Sequence, residues 1–436
     1  MQRLPPIRGL WYNYSMRRAL QLPAIVAGVC LQISFLSIAG AGDSWPQFRG
    51  PNAGHTEITN LPLTWSETEH VKWKTPLPGT GWSSPVVAGK QIWMTTALEE
   101  GESLHALCCD LDSGKLLLDV EVFKNAVVPP KHKRNSYASP SPIIDGDRVY
   151  VHFGAMGTAC LSTKDGHKLW ENREFVVDHQ NGPGGSPVLY GDNLIMAFDG
   201  MDQQYEVAVN KMTGKLVWKT ARSAIPKLEA RPPDMRKAYP TPVLFMIDGQ
   251  PQTLATGAER LYSYDPANGH ELWYVDYPGF SNVPLPVTDG KMIYVCTGFA
   301  KPEIWGIHVG GAHGDATGTH VAWRQNAGVP DQATPIVVGQ RLYMVTSGGI
   351  VSCLDTATGA IVWKERIASD FAASPLAAEG RIYFCDAKHK TTVIAPGDSL
   401  KVLAVNELAD GCMASPAAVG KALILRTKTS LYRIEN

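Results

Sequence analysis

The hexapeptide "TGKLVW" at residues 213–218 belongs to a pattern that recurs as "DGHKLW" (165–170), "NGHELW" (268–273) and "TGAIVW" (358–363). An Asp or Asn stands four residues before most of these glycines, as Asn210 does before Gly214. Such a side chain bonds the backbone two residues on, and Gly adopts positive φ, so the pattern predicts a turn into a strand. The Trp that follows suits packing between neighbouring repeats. We predict this packing role for Trp73, Trp170, Trp218, Trp273, Trp323 and Trp363.

A second motif sets the length of the repeat. A Pro preceded by Ser, Thr or Leu opens an apolar run eight times, and successive prolines are 40 to 57 residues apart. Each run reads as a β-hairpin, as in "TPIVVGQRLYMV", and a third strand and the Trp strand follow. Four antiparallel strands per repeat are typical of a propeller blade, whereas helical repeats would show apolar residues three and four apart. The sequence therefore predicts an all-β, eight-bladed β-propeller. Its repeats begin at Ser84-Pro85, Ser141-Pro142, Ser186-Pro187, Thr241-Pro242, Leu285-Pro286, Thr334-Pro335, Ser374-Pro375 and Ser415-Pro416.

The two ends of the chain predict how the ring closes. After Ser415-Pro416 there is room for about three strands, while "VKWKTPL" at 71–77 is a Trp strand with no blade before it. We expect this N-terminal strand to complete the last blade, which leaves no open sheet edge at the seam. The predicted organisation is an N-terminal extension over residues 1–42, a lead-in segment over 43–70 and the propeller over 71–436.

Composition excludes several classes of partner. The chain has 436 residues, and 40 Lys and Arg against 41 Asp and Glu give a net charge of −1. This balance indicates neither a nucleic-acid partner nor a membrane-surface partner. Seven cysteines follow residue 42, and they cannot all pair within one chain. We expect a monomer that is not built on disulfides.

The first 42 residues resemble a secretory signal. Arg17 and Arg18 precede an apolar run from Ala19 to Ile38, which ends in small residues at 39–42. The true start is either Met1 or Met16. We predict export to the periplasm or the extracellular space, with no integral membrane segment left after cleavage; a signal anchor is the alternative interpretation.

The repeat Ala-x-Asp/Asn-x-x-x-Gly-x-x-x-Trp resembles that of pyrroloquinoline-quinone (PQQ)-type propellers. The stretches "WPQFRGPNAG" (45–54) and "LILRTKTSLYRIEN" (423–436) are similar to those of exported PQQ-like repeat proteins. The resemblance covers about residues 45–436. It implies an architecture shared by quinone-dependent dehydrogenases and by the BamB outer-membrane assembly lipoproteins, which act as scaffolds without a cofactor. Fold alone does not choose between these functions.

A dehydrogenase of this kind needs PQQ, a Ca²⁺ held by oxygen ligands and a carboxylate base. The adjacent pair Cys108-Cys109 is similar to the vicinal disulfide of some family enzymes, but buried structural thiols are the favoured interpretation. No calcium ligand set can be matched, so we predict no catalytic residue, no metal ligand and no cofactor, and PQQ with Ca²⁺ stays an unsupported alternative. His179, after Asp178, is expected to be a solvated loop histidine.

The segments that lead into each Pro motif connect the blades, and in propellers these converge around the central channel. Aromatic and amide side chains in them are our candidate binding residues for a polar ligand, a glycan or a peptide: Trp82, Asn135, Tyr137, Asn181, Tyr239, Asn282, Gln332 and Phe371. Residues 124–137 and 219–239 are both net +4, which predicts a basic patch for an acidic partner or an anionic polysaccharide. Its candidates are Lys131, Lys133, Arg134, Arg231, Arg236 and Lys237.

The sequence thus favours a non-catalytic binding or assembly scaffold whose partner is a protein or a polysaccharide of the cell envelope. Two alternatives stay open, a PQQ/Ca²⁺-dependent dehydrogenase and a polysaccharide-handling accessory protein.

Overall fold

The computed structural model describes residues 44–436, so the predicted signal segment lies outside the described residues. The described chain forms eight sheets, each built on four antiparallel strands. One repeat contributes all four strands in seven of them, and in the eighth the N-terminal strand joins three C-terminal strands. The predicted all-β, eight-bladed propeller is confirmed.

Blades 1 to 4 follow the chain in order, and each uses four consecutive strands from the channel outwards. Their bounds are β3 Val86–Ala88, β4 Gln91–Leu98, β5 Ser103–Asp110 and β6 Leu116–Lys124; β7 Ile143–Asp145, β8 Arg148–His152, β9 Thr158–Ser162 and β10 Lys168–Asn172; β11 Val188–Tyr190, β12 Asn193–Asp199, β13 Gln204–Asn210 and β14 Leu216–Ala221; β15 Val243–Ile247, β16 Gln250–Thr256, β17 Arg260–Tyr264 and β18 Glu271–Asp276.

Blades 5 to 8 repeat the arrangement, and two short strands, β1 His55–Thr56 and β22 Gly314–Asp315, join blades 7 and 4. The main strands are β19 Val287–Thr288, β20 Met292–Cys296, β21 Ile304–His308 and β23 Val321–Gln325; β24 Ile336–Val338, β25 Arg341–Val345, β26 Ile350–Asp355 and β27 Ile361–Arg366; β28 Leu376–Ala378, β29 Arg381–Cys385, β30 Lys390–Ala395 and β31 Lys401–Glu407; β32 Ala417–Val419, β33 Ala422–Arg426, β34 Ser430–Glu435 and β2 Val71–Pro76.

Helical structure in the described residues is confined to short turns. They are the 3₁₀ segments Glu99–Gly101, Gly154–Met156, Leu228–Ala230 and Pro233–Arg236 and the α-helix Thr317–His320. None of these helices is long and apolar enough to cross a membrane.

Ring closure follows the prediction. Strand β2 pairs antiparallel with β34, with Trp73 opposite Arg433 and Thr75 opposite Leu431. The N-terminal strand therefore covers the edge that the last three strands would otherwise expose.

The motif tryptophans lie against the turn of the next blade. The indole of Trp170 covers Gly214, where a Cβ would collide with the ring. Its N–H donates to the Lys211 carbonyl over 2.8 Å, directly after the motif Asn210. At three other blade contacts the Trp N–H likewise donates to the carbonyl of the residue that follows the motif Asp: Trp73 to Leu111, Trp218 to Pro266 and Trp323 to Thr356. Trp363 donates to Gly397 of blade 7.

Trp273 departs from this pattern. Its N–H donates to Gln252 of its own blade over 2.8 Å, and the side chain is 1% exposed. Blade 5 inserts residues 309–320 between its third and fourth strands, and this insert pairs with β18 through Gly314 and Asp315. The insert therefore lies along the outer strand of blade 4, in the place that the turn of the next blade takes at the other blade contacts.

The hydrophobic core lies between the blades. One cluster joins Ile143 and Trp170 of blade 2 to Leu194 and Val207 of blade 3. Each blade is thin, so its apolar side chains are buried only when the neighbouring blade covers them.

Candidate functional site

The Ser/Thr-Pro motifs form a hydrogen-bonded ring around the central channel. The backbone N–H of the residue before one proline donates to the hydroxyl of the residue before the next proline, over 2.8–3.0 Å. Seven of these bonds run in the order Ser84 to Ser141, Ser141 to Ser186, Ser186 to Thr241, Leu285 to Thr334, Thr334 to Ser374, Ser374 to Ser415 and Ser415 to Ser84. The ring is interrupted where Leu285, which has no hydroxyl, faces Thr241.

Residues 45–54, which belong to the lead-in segment, close one end of the channel. The guanidinium of Arg49 is buried and donates to the carbonyls of Ala53, Pro335 and Pro375. Pro335 and Pro375 directly follow the ring residues Thr334 and Ser374 and lead into the inner strands, whereas the blade-connecting loops come before the ring residues. Residues 45–54 therefore lie on the opposite side of the ring from those loops. Burial lowers the pKa of Arg49 to about 9. Phe48, the residue before it, faces the cavity.

The result is a cup of about 500 Å³, a volume typical of small-molecule sites. Phe48 forms part of its floor, the hydroxyl ring its wall, and the connecting loops its mouth. Five of the eight predicted rim residues line this cup: Trp82, Asn135, Asn181, Tyr239 and Gln332.

The other three predicted rim residues point into the protein instead. Tyr137 is 8% exposed, packs on Gly101 and donates its hydroxyl to the Pro129 carbonyl. The amide of Asn282 is fully buried and donates to Tyr277 and to the Cys296 carbonyl. Phe371 is 1% exposed and packs in the core between blades 6 and 7. Their predicted rim position was wrong. Neighbouring loop residues face opposite ways, and these three side chains pack or form hydrogen bonds inside the protein.

The predicted basic patch is largely neutralised by the fold. Arg134 pairs with Asp370 at 2.5 Å, Arg231 with Glu259 at 3.0 Å, and Lys131 approaches Glu100 at 4.0 Å. Lys237 is buried and bonded to Asp234, and burial lowers the pKa of its amine to about 8. Arg236 donates to backbone carbonyls of its own loop. Lys133 is the exposed candidate for which residues 44–436 provide no carboxylate partner.

The connecting loops that carry these groups nevertheless form one continuous rim. The His132 N–H donates to the Asn181 carbonyl over 3.3 Å, and Gln180 bonds Asp234. The Tyr239 N–H donates to the Asn282 carbonyl over 2.8 Å. These three links tie four successive blade connections together at the mouth of the cup.

His179 lies beneath this rim, and the expectation of a solvated histidine was wrong. Its Nε2 contacts the Ala238 carbonyl at 3.2 Å, and its ring centre is 4.4 Å from that of Tyr239. Burial lowers the pKa of His179 to about 4, so the ring is neutral near pH 7. Among the described residues, its Nδ1 and the Tyr239 hydroxyl are both buried without a hydrogen-bond partner.

The cup does not offer the donor set of a quinone and calcium site. Its two carboxylates are already engaged, Asp234 by Lys237 and Asp331 by Ser347. Cys108 and Cys109 are both buried in β5, where successive side chains face opposite sides of the sheet. They accordingly belong to different core clusters, and burial raises the pKa of each thiol to about 12. Within residues 44–436 no cluster of three or more His, Cys, Asp or Glu is arranged to hold a metal ion.

Several cup residues escaped the sequence analysis. The motif hydroxyls served only to mark the repeat, although their regular spacing was a usable signal for a ring. Phe48 lies more than thirty residues before the first Pro motif, and Phe299 follows a strand of blade 5, so neither could be placed at the channel by blade order.

Comparison with known proteins agrees with this architecture. The family model described as "Outer membrane protein assembly factor BamB" matches residues 65–245, 203–311 and 308–411. No curated protein matches the chain by sequence.

Solved structures of the same fold include a BamB, a designed protein and an alcohol dehydrogenase. BamB from Moraxella catarrhalis has a TM-score of 0.55 at 11% identity, covering 84% of this chain and 99% of that one. The computationally designed Ika8 protein has a TM-score of 0.56 at 11% identity, with coverages of 82% and 98%. Quinohemoprotein alcohol dehydrogenase from Comamonas testosteroni has a TM-score of 0.57 at 11% identity, with coverages of 91% and 81%. At this identity the likeness concerns the fold alone.

Proposed function

Because the matched segments together span residues 65–411, this chain belongs to the family described as outer membrane protein assembly factor BamB, and we propose that it is a non-catalytic binding or assembly scaffold of the cell envelope. Its partner, on this proposal, is another protein that docks on the face where the cup opens. The predicted signal segment supports export to that compartment.

The observation that carries the proposal is the tied rim of connecting loops above a cup whose far end the chain itself closes. Loops on a rigid ring are where binding surfaces usually lie. The links among His132, Asn181, Gln180 and Asp234 order this rim before any partner arrives, which lowers the entropic cost of association. The charged groups at the rim are mostly paired within the fold, so they are positioned for recognition rather than for proton transfer.

Two exposed side chains offer a test of this face. Phe299 lines the mouth of the cup with 55% of its surface exposed, and Lys133 is exposed in the first long connection. The double variant K133E/F299D changes the rim without touching the hydroxyl ring. The matched control is K401E/V405D in β31, the outer strand of blade 7, where Val405 is 53% exposed.

The experiment is chemical cross-linking and affinity capture of the full-length tagged protein from the envelope fraction of its own cells. We expect specific protein partners with the wild type and with K401E/V405D, and their loss with K133E/F299D. Capture that is unchanged in K133E/F299D would place the docking surface elsewhere. A wild type that captures no envelope protein would contradict the scaffold proposal.

The dehydrogenase alternative is tested on the same protein. Thermal melting is recorded with PQQ and CaCl₂, followed by gel filtration and an absorbance spectrum of the protein peak. We expect no shift in melting temperature and no retained quinone. A saturable shift together with co-eluting quinone would favour the oxidoreductase instead.

A further inference from the structure

The wall of the cup presents an unusual number of hydroxyl donors. Each of the seven ring hydroxyls accepts one backbone N–H, and within residues 44–436 none donates its own hydrogen to another protein atom. All seven belong to buried residues that line the cavity. Because a hydroxyl is both donor and acceptor, this ring presents O–H donors towards whatever occupies the cup.

The charges around the cup argue against an anionic ligand. Arg134 is paired with Asp370, and the two lining carboxylates are held by Lys237 and Ser347. The guanidinium of Arg49 is turned towards backbone carbonyls beneath the floor. Among the described residues that line the cavity, Asp331 therefore carries a negative charge without an ion-pair partner, because the Ser347 hydroxyl that bonds it is neutral. The lining Arg134 is already paired, so the described lining residues present no unpaired Lys or Arg to an anionic ligand.

The remaining lining groups suit a ligand that has both hydroxyls and C–H faces. Gln332 lines the upper wall as an amide donor and acceptor, and Phe48, Trp82 and Phe299 supply aromatic surface. The indole of Trp82 is held in place by its N–H bond to the Arg134 carbonyl at 3.0 Å. Tyr239 lines the cup, and its hydroxyl is buried without a partner among the described residues.

We propose that the cup binds a neutral sugar residue at the end of a glycan chain. The ring hydroxyls and Gln332 bond the hydroxyls of the sugar, and the aromatic side chains pack against its C–H face. The closed floor admits one chain end, and the open mouth lets the rest of the glycan leave past the loops. This proposal specifies a ligand for the proposed binding role, and it depends on that role only in assuming that binding takes place on the face where the cup opens.

The test uses purified full-length protein and two neutral probes, maltotriose and N,N′-diacetylchitobiose, in titration calorimetry and saturation-transfer NMR. Trigalacturonic acid serves as the anionic comparison and triglycine as the peptide comparison. The variant Q332L removes an amide that lines the cup, and A372W fills the cup from its wall. Q340L is the matched control, because Gln340 is exposed in the turn between β24 and β25. Thermal melting confirms that each variant is folded.

We expect saturable binding of at least one neutral probe, a loss of at least tenfold in affinity in Q332L, no measurable binding in A372W and unchanged binding in Q340L. The proposal is overturned if neither neutral probe binds, if the anionic or peptide probe binds more tightly, or if Q332L and A372W bind as the wild type does. Since A372W leaves Lys133 and Phe299 in place, it still captures protein partners if the scaffold proposal is right. Failure of the glycan proposal and failure of the scaffold proposal are thereby distinguishable.

Discussion

The backbone N–H of Ser415 donates a hydrogen bond to the hydroxyl of Ser84, 3.0 Å away and 331 residues earlier in the chain. This bond closes the propeller at the channel, while the pairing of β2 with β34 closes it in the outer part of the last blade. Two independent closures at different radii join the last blade to the first.

Removing one ring hydroxyl should destabilise the fold. In Ser141→Ala the buried N–H of Ser84 loses its acceptor, which costs about 1–3 kcal/mol in the free energy of unfolding. Urea denaturation measures the loss, and Ser399→Ala, at an exposed serine outside the ring, should stay within about 0.5 kcal/mol of wild type. Equal stabilities of S141A and S399A would contradict the role of the ring.

The interruption of the ring at Leu285 provides a converse test. A hydroxyl at this position would offer an acceptor to the Thr241 N–H, as the other motif hydroxyls do for their neighbours. We expect Leu285→Thr to be more stable than Leu285→Val by about 0.5–1.5 kcal/mol, although a buried Thr in place of Val ordinarily destabilises. Both variants lose similar apolar volume, so each is the control for the other. A more stable L285V would show that Thr241 does not use the new acceptor.

The contact between Trp170 and Gly214 predicts a large effect for a small substitution. Gly214 has φ +70° and a Cβ added there would lie 2.5 Å from Cε3 of Trp170, so Gly214→Ala combines backbone strain with a steric clash. Gly339→Ala has a similar φ of +60° and open space around its Cβ, so it carries the strain alone. We expect a loss of about 1–2 kcal/mol for G339A and about 1–3 kcal/mol more for G214A in thermal unfolding. Similar losses in the two variants would argue against tight packing between blades.

Glu206 should make stability depend on pH. It is buried beside Arg222, which bonds both oxygens of Asp199 at 2.6 Å and lies 3.6 Å from Glu206. Burial raises the pKa of Glu206 from 4.5 to about 7, and neither of its carboxyl oxygens has a hydrogen-bond partner among the described residues. Because the pKa is raised by folding, this group's contribution is full below about pH 4.5 and is lost as the pH rises through about 7.

The variant Glu206→Gln carries a neutral amide at every pH. We expect its urea midpoint to change less between pH 5 and pH 8 than that of the wild type, and to equal or exceed the wild-type midpoint at pH 8. Glu57→Gln, at an exposed position, should keep the wild-type profile. An unchanged difference between pH 5 and pH 8 in E206Q would show that Glu206 does not titrate in this range.

The adjacent thiols of Cys108 and Cys109 should be unreactive and unpaired with each other. Both are 0% exposed, and burial raises their pKa, so little thiolate exists at pH 8. We expect neither to be labelled by iodoacetamide in the native protein and both to be labelled in urea. A peptide map without reductant that contained a Cys108–Cys109 disulfide would contradict the strand geometry and revive the quinone interpretation.

The architecture could be predicted because it depends on local chemistry. The turn before "TGKLVW" is set by Asn210, which accepts the N–H of Met212 and Thr213, and by the positive φ of Gly214. The same chemistry is repeated in blade after blade, and the count of repeats gives the ring. The odd Trp strand at 71–77 was enough to predict where the ring closes.

The site was only partly predictable, because the sequence does not show which side chains of a connecting loop face the cup and which are buried in the core. Trp82 and Gln332 face the cup, whereas Asn282 and Phe371, at comparable places in their repeats, are buried. Likewise, the charges of the two basic loops could be counted, but not their carboxylate partners; Asp370, which pairs with Arg134, lies 236 residues away.

By itself, then, the amino-acid sequence determined the repeat and the number of blades, since both depend on turns and strand periodicity within about fifty residues. The seam followed from counting the strands left over at the two ends of the chain. Only the tertiary structure decided that the channel is a cup. Its floor comes from Phe48 and Arg49, its wall from hydroxyls spread over the whole chain, and its charges are paired across blades. Such contacts join residues that are distant in sequence, and they exist only once the ring has brought those residues together.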